Sequence, residues 1–280
     1  MSAGADSRPF EPFFLPASVG ERFCIFHPAA GTPRGAVLYL HPFADEMNKS
    51  RRMAALQARA LAQRDFSVLQ IDLFGCGDSS GEFRDASWEI WRQDVALGAR
   101  WLAQHVRGAF TLWGLRLGAL LALDAARQCD PAPGEFVFWQ PVLNGEAMIT
   151  QFLRLRLASE MLSAGRSKTG VQELRAALAA GEILEIAGYD LTQQLTSAID
   201  GLKLADLVAV GKAVHWFEIV PEAGRALPPA AARVADHWTR NGALLDVECV
   251  AGQPFWNTLE ITECPALIAA TTQALAAGER

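Results

Sequence analysis

Phe110-Thr-Leu-Trp-Gly114-Leu115-Arg116-Leu117-Gly118-Ala-Leu-Leu-Ala-Leu-Asp-Ala-Ala-Arg127 is the stretch on which the fold turns. Phe110 to Trp113 is an apolar run of strand type. Ala119 to Arg127 is rich in small residues and helical in character. Between them lies Gly114-Leu115-Arg116-Leu117-Gly118, a glycine at each end of a sharp turn. This is the G-x-S-x-G frame, strand to turn to helix, in which a serine nucleophile is held exposed. Arginine occupies the central position. It is always protonated and cannot attack a carbonyl. The stretch argues for an architecture while arguing against the chemistry usually done there.

Outward from this turn, strands and helices alternate. Arg22 to His27 alternates in character and suits an antiparallel edge strand. Ala36 to Leu40 is apolar throughout, as a strand covered on both faces should be. A helix is expected from about Ser50 to Arg64, then a strand from Phe66 to Ile71. The latter runs into a glycine-rich loop ending at Gly81, whose backbone angles should be unusual. Trp88, Trp91, Val95, Gly98 and Leu102 recur at helical spacing, with Ser87 as N-cap. Phe136 to Trp139 is another buried strand, and Ala213 to Val220 and Leu244 to Val250 are the last two. A helix from about Pro229 to Arg240 separates that pair, and a final helix runs from about Cys264 to Ala277. Such alternation implies a mainly parallel sheet with right-handed crossovers. Residues 147–211 interrupt it with helical text: Met148, Phe152, Leu155 and Ser159 share a face, followed by helical stretches at Val171–Gly181 and Leu191–Leu207.

Composition sets the outer bounds. The 280 residues suit one large α/β domain with an insertion, and 51% apolar content supports a sizeable core. A net charge of −6 with scattered basic residues argues against a nucleic-acid partner. The five cysteines (24, 76, 129, 249 and 264) have no metal-type spacing and read as reduced. Neither a metal nor a cofactor is expected. Met1 to Pro16 has no signal-peptide pattern. No apolar run approaches the roughly 20 residues that span a bilayer. A cytoplasmic protein without a membrane span is the expectation.

Two further loops sharpen the reading. Leu40-His41-Pro42-Phe43 follows the third strand, and Asp72-Leu-Phe-Gly-Cys-Gly-Asp-Ser-Ser-Gly81 follows the fourth. With the Gly114–Gly118 turn they resemble, in order and spacing, the oxyanion loop, the D-x-x-G-x-G-x-S loop and the nucleophile elbow of the α/β-hydrolase superfamily. The resemblance covers about residues 20–280. It implies a mainly parallel sheet of about eight strands with helices on both faces. Residues 1–146 and 212–280 would form the core, and 147–211 a helical cap over the strands' C-terminal ends. Gly75-Cys-Gly-Asp-Ser-Ser-Gly81, Trp113-Gly-Leu-Arg116, Gln151-Phe-Leu-Arg-Leu-Arg156 and Pro254-Phe-Trp256 more narrowly resemble the exosortase A system-associated hydrolase 2 family. That likeness implies bacterial exopolysaccharide and protein-sorting loci and a second hydrolase homologue as neighbour. It implies no known reaction.

A serine hydrolase needs a nucleophile, a base and an orienting acid. Arg116 stands at the first position. The base belongs in the loop after the last strand, but Ala251 to Asn257 holds no histidine. The histidines are 27, 41, 105, 215 and 237, none of them after the last strand. Glu222 is the acid candidate after the preceding strand, although anchoring on Leu227-Pro228 puts Gly224 in that frame. Loss of nucleophile and base together is hard to rescue. The oxyanion hole needs only backbone N–H groups, and Leu117 and Phe43 are its expected donors, since Pro42 has none.

Arg116 beside a helix N-terminus makes a site for a carboxylate or phosphate. In the absence of ligand it should be neutralised by Asp45, Glu46, Asp78, Glu82 or Glu222, with Glu222 and Glu82 preferred. His41 and Trp256 join the expected ligand-binding set of Arg116, Leu117 and Phe43. Ser79 is the alternative nucleophile, and Cys76 a weaker one without a nearby histidine. Trp113, Trp139, Trp216 and Trp256 either line a pocket or pack the core, the commoner role. Three functions follow: a catalytically silent binder of an anionic or acyl ligand, a hydrolase or acyltransferase with a non-standard site, or a structural subunit pairing with the second homologue.

Overall fold

Strand β3, Gly35–Leu40, is buried at every residue, so it needs cover on both faces. The computed structural model, which describes residues 10–164 and 170–277, supplies it. Residues 1–9 of the expected core, 165–169 of the insertion and 278–280 lie outside the described residues. Beside β3 lie β4, Phe66–Ile71, and β5, Ala109–Leu115, both parallel to it. The sheet continues through β6, Glu135–Trp139, to β9, Ala213–Val220, and β10, Leu244–Ala251. On the other side β2, Glu21–His27, runs antiparallel to β4, and β1, Glu11–Pro16, antiparallel to β2. The eight-stranded order is β1-β2-β4-β3-β5-β6-β9-β10. Strand β1 had no strand-like signal because Pro12 and Pro16 interrupt it; both are tolerated at a sheet edge.

Each face carries its own apolar layer. Helices α1, Asp45–Ala62, and α8, Pro265–Ala277, cover one face through Met53, Ala58, Leu61, Leu267 and Leu275. Helices α2, Trp88–His105, α3, Leu117–Ala125, and α7, Pro229–Arg240, cover the other, with Trp91, Leu120 and Trp238 packed into it. Ser87 caps α2 by accepting the Ile90 N–H at 3.3 Å. Helix α1 begins about five residues before its expected start. Its N-cap is Ala44, which offers no capping side chain and sits at φ 51°.

Between β6 and β9 the chain forms α4, Gly145–Ala164, α5, Val171–Ala179, and α6, Gln193–Asp200. Contrary to an all-helical reading, a hairpin of β7, Leu184–Ile186, and β8, Tyr189–Leu191, lies among them. Ala187 and Gly188 turn it with φ of 51° and 85°, the positive pair that a two-residue hairpin turn requires. Alanine in the first of these positions hid the turn. Phe152 of α4 packs on Phe43 at 5.1 Å between ring centroids, and the Tyr189 hydroxyl of β8 accepts the Asn48 side-chain N–H at 2.9 Å, while its ring meets Phe83 at 5.0 Å. The inserted elements therefore rest on the loops at the C-terminal ends of the strands. Among the described residues no helix is long and apolar enough to cross a membrane.

Candidate functional site

Arg116 sits between β5 and α3 with φ 55° and ψ −115°, a conformation that non-glycine residues rarely adopt. Strain of this kind costs about 1–3 kcal/mol and persists only where surrounding contacts impose it. Its own backbone shows those contacts. The Arg116 N–H donates to Trp139 O at 3.0 Å, and its carbonyl accepts from Ala119 at 3.1 Å and Val142 at 3.3 Å. A Cβ on Gly114 would stand 2.5 Å from Ala119 Cα, and one on Gly118 would run into the Leu40 carbonyl oxygen. Both glycines are thus required by close approach, and the turn is a sharp strand-to-helix elbow.

The guanidinium finds its carboxylate on α1. Arg116 Nε and Nη2 both donate to Glu46 Oε1 at 3.3 Å. Glu46 was among the candidate neutralising groups, but the preferred choices stand elsewhere. Glu222 is exposed in the turn after β9, and Glu82 is exposed at the start of a 3-10 turn, where its N–H donates to Asp85 Oδ2 at 3.1 Å. Glu46 Oε2 is buried and has no hydrogen-bond partner among the described residues. Burial pushes the Glu46 carboxyl above its usual range, against the opposing pull of Arg116 and Lys49.

The other side of the guanidinium meets Trp256. Its Cζ lies 5.4 Å from the Trp256 ring centroid, within cation–π reach. Trp256 belongs to the Ala251–Asn257 loop, the place of the proton-accepting histidine, which holds none. The loop's position is filled instead by an aromatic ring, with Phe255 fully buried behind it.

A cleft of about 160 Å³ opens over this pair. Phe43, Asp45, Glu46 and Lys49 form one side, Met148, Gln151, Phe152 and Leu155 of α4 the other, and Trp256 and Asn257 close the end. Lys49 is tied to Asp45 at 2.8 Å. The Phe43 and Leu117 N–H groups have no acceptor among the described residues, so both expected oxyanion-hole donors are free. The Leu117 side chain is buried and lines no part of the cleft.

Other expected participants are spent on structure. His41 is buried away from the cleft; its Nδ1 meets Pro42 O at 2.8 Å and its Nε2 accepts the Leu73 N–H at 3.2 Å. Both ring nitrogens are used, and burial lowers its pKa, which keeps the ring neutral. The Ser79 hydroxyl donates to Asp72 O at 2.6 Å and accepts the Phe23 N–H at 2.8 Å, fastening its loop to β2. Burial raises the Cys76 thiol far above the range where a thiolate forms. Trp113, Trp139 and Trp216 are fully buried core residues.

Glu218 escaped the sequence reading. It is buried on β9, accepting Gln140 Nε2 at 2.8 Å and Trp216 Nε1 at 2.9 Å. Gln140 stands at φ 46° and returns its Oε1 to the Ile219 N–H at 2.7 Å. Burial raises the Glu218 carboxyl, with the Trp216 and Gln140 hydrogen bonds and the Arg116 charge opposing. A lone glutamate inside the apolar run Val214 to Val220 was the signal.

The family model described as Serine aminopeptidase, S33 matches residues 31–190. No curated protein matches the chain. Among solved structures, Est1E from Butyrivibrio proteoclasticus with bound ferulic acid is 15% identical with a TM-score of 0.63, covering 94% of this chain and 96% of that one. A soluble variant of monoglyceride lipase from Saccharomyces cerevisiae is 13% identical with a TM-score of 0.62, covering 98% and 97%. Proline iminopeptidase from Mycobacterium smegmatis is 12% identical with a TM-score of 0.59, covering 95% and 97%. At these identities the solved structures attest the fold, and the family match, which spans more than half of the chain, adds descent: the chain belongs to the Serine aminopeptidase, S33 family of the α/β-hydrolase superfamily.

Proposed function

We propose that this family member no longer performs Ser-His-acid hydrolysis and binds a small anionic or acyl ligand in the inherited cleft. One observation carries the reading. The elbow residue is Arg116 and the loop where the base would stand presents Trp256, and the two side chains pack on each other. No histidine is left at that point to take a nucleophile's proton. The free Phe43 and Leu117 N–H groups and a guanidinium held by a single carboxylate oxygen support anion binding. Phe43, Met148, Phe152 and Leu155 offer apolar contact to an acyl or aryl tail. In this reading residues 147–211 act as a cap over a core of 1–146 and 212–280.

The narrower resemblance to the exosortase A system-associated hydrolase 2 family adds the setting. It implies bacterial exopolysaccharide and protein-sorting loci with a second α/β-hydrolase homologue as neighbour, while the reduced cysteines and the lack of a signal-peptide pattern favour the cytoplasm. Co-purification of the two homologues tests that part.

For the site itself, short-chain esters should be hydrolysed at background rate and a fluorophosphonate probe should not label the protein. Octanoate should raise the melting temperature. At a hundredfold excess over Kd the gain is about 2.7 kcal/mol, a shift of about 5 °C. Arg116→Ala should abolish that shift. Labelling at Ser79 that disappears in Ser79→Ala would overturn the reading in favour of a non-standard hydrolase.

A further inference from the structure

The Arg116–Glu46 pair is an unusual lock for an anion site, because the counter-charge blocks the very group a ligand would need. Glu46 uses one oxygen, Oε1, for two long contacts of 3.3 Å, while Oε2 is buried without a partner. A carboxylate well committed to arginine would use both oxygens in a parallel fork. Arg116 Nη1 has no acceptor among the described residues, so half of the guanidinium fork is open. The pair is therefore weak for its burial, and the cleft lies directly over it.

Resting on the proposed binding function, we propose that the cleft takes a monocarboxylate by exchange: the ligand carboxylate replaces Glu46 on Arg116, and the displaced Glu46 carboxyl holds one proton. The balance is simple. A neutral acid entering the cleft passes its proton to Glu46 and stays as the Arg116-bound anion. A ligand entering already ionised draws that proton from solvent. No bond other than O–H is made or broken. The Glu46 Oε2 atom, partnerless in the free protein, then carries the proton, and its O–H donates to the incoming ligand carboxylate.

The surrounding charges favour this exchange over simple anion capture. On α1, Lys49 faces Glu46 but is held by Asp45 at 2.8 Å. From β9, Glu218 adds a buried carboxyl within the electrostatic reach of Arg116. Helix α4 and the loop after β10 present Gln151, Asn257 and apolar side chains to the cleft, and no titratable group. A ligand anion added to unneutralised Glu46 would meet a like charge in a desolvated space. Protonation removes that repulsion, and burial already raises the Glu46 carboxyl in the free protein. The same balance selects a monoanion over a dianionic phosphate. The planar guanidinium fork suits a carboxylate, and the apolar walls suit a short alkyl or aryl tail.

The test is titration calorimetry of the full chain with octanoate between pH 5.5 and 8.5, repeated in buffers of different ionisation enthalpy. Proton uptake should rise toward one per ligand across this range, and Kd should weaken by up to about tenfold per pH unit. Glu46→Gln keeps the shape but cannot take the proton. Its Kd should be independent of pH and tighter than wild type at pH 8. Binding of octanoate by wild type without proton uptake overturns the exchange while leaving the binding function intact. Equal uptake in Glu46→Gln overturns the role of Glu46. Tighter binding of octyl phosphate than of octanoate overturns the monocarboxylate class. No binding of octanoate to either protein removes the binding function and this inference together.

Discussion

At position 116 a charged side chain is held on a backbone conformation that suits it no better than any other L-residue. The strain remains although the usual reason for bearing it, presenting a nucleophile, has gone. What remains useful is the placement of the Arg116 side chain, which lines the cleft. Changing Arg116 to serine restores the frame but not the chemistry, because the loop carrying Trp256 presents no histidine to take the hydroxyl's proton. Arg116→Ser should therefore stay within about tenfold of background on p-nitrophenyl acetate, whereas each triad member is worth several orders of magnitude. A gain of more than a thousandfold would mean that a base had been overlooked. The substitution at 116 was plain in the sequence, since a five-residue frame carries it. Its partner was not. Glu46 was one acidic residue among several, and it lies far from the elbow in the chain.

The elements explain why Glu46 was hard to favour. A helix start is normally announced by Ser, Thr, Asp or Asn at the N-cap. Helix α1 begins after Ala44, in a strained conformation without a side-chain cap. With the start placed near Ser50, Glu46 fell in a loop of undefined direction; in the true first turn it faces the elbow. The strands of the sheet core were legible because burial on both faces leaves largely apolar runs, as in β3, β5 and β6. Strand β1 and the β7–β8 hairpin were not, as one contains prolines and the other a turn begun by alanine. The elbow glycines make a direct test of close packing between β5, α3 and the loop after β3. Gly118→Ala drives a methyl group into the Leu40 and His41 carbonyls and should cost about 1–3 kcal/mol or more. Gly134→Ala, whose nearest contact is Phe110 O at 3.9 Å, should change stability by less than about 0.5 kcal/mol. Denaturant unfolding of both variants measures the contrast, and similar values for the two would show that the elbow is looser than described. The edge of the sheet offers a second test in the buried pair of Arg22 and Asp94, joined at 2.6 Å. Burial raises the Asp94 carboxyl to about 6 despite the Phe74 N–H and Arg22. Asp94→Asn leaves the arginine charge uncompensated and should cost about 3–5 kcal/mol.

Across the whole molecule the two ends of the sheet carry different titrating groups. The cleft with Glu46 lies at the C-terminal ends of the strands. Near the N-terminal ends, His215 of β9 meets Glu135 of β6 at 2.9 Å and approaches Asp246 of β10 at 3.8 Å. Burial lowers the His215 pKa, but the hydrogen bond and charge of Glu135, helped by Asp246, outweigh it and leave the value raised. A raised histidine binds its proton more tightly folded than unfolded. Its stabilisation is complete below the unfolded pKa of about 6.5 and is lost as pH climbs through the folded pKa. Glu46 responds at the other end through ligand binding. The two pH effects should therefore be separable. Glu135→Gln should lower the melting temperature at pH 6 more than at pH 8.5, flattening that profile, and leave the octanoate proton uptake unchanged. Glu46→Gln should flatten the binding profile and leave the His215-dependent part of the stability profile in place. Melting curves and calorimetry on both variants and their combination decide it. If either substitution moved both profiles, the ends of the sheet would be coupled through the strands that join them, and the independence argued from their separation would fall.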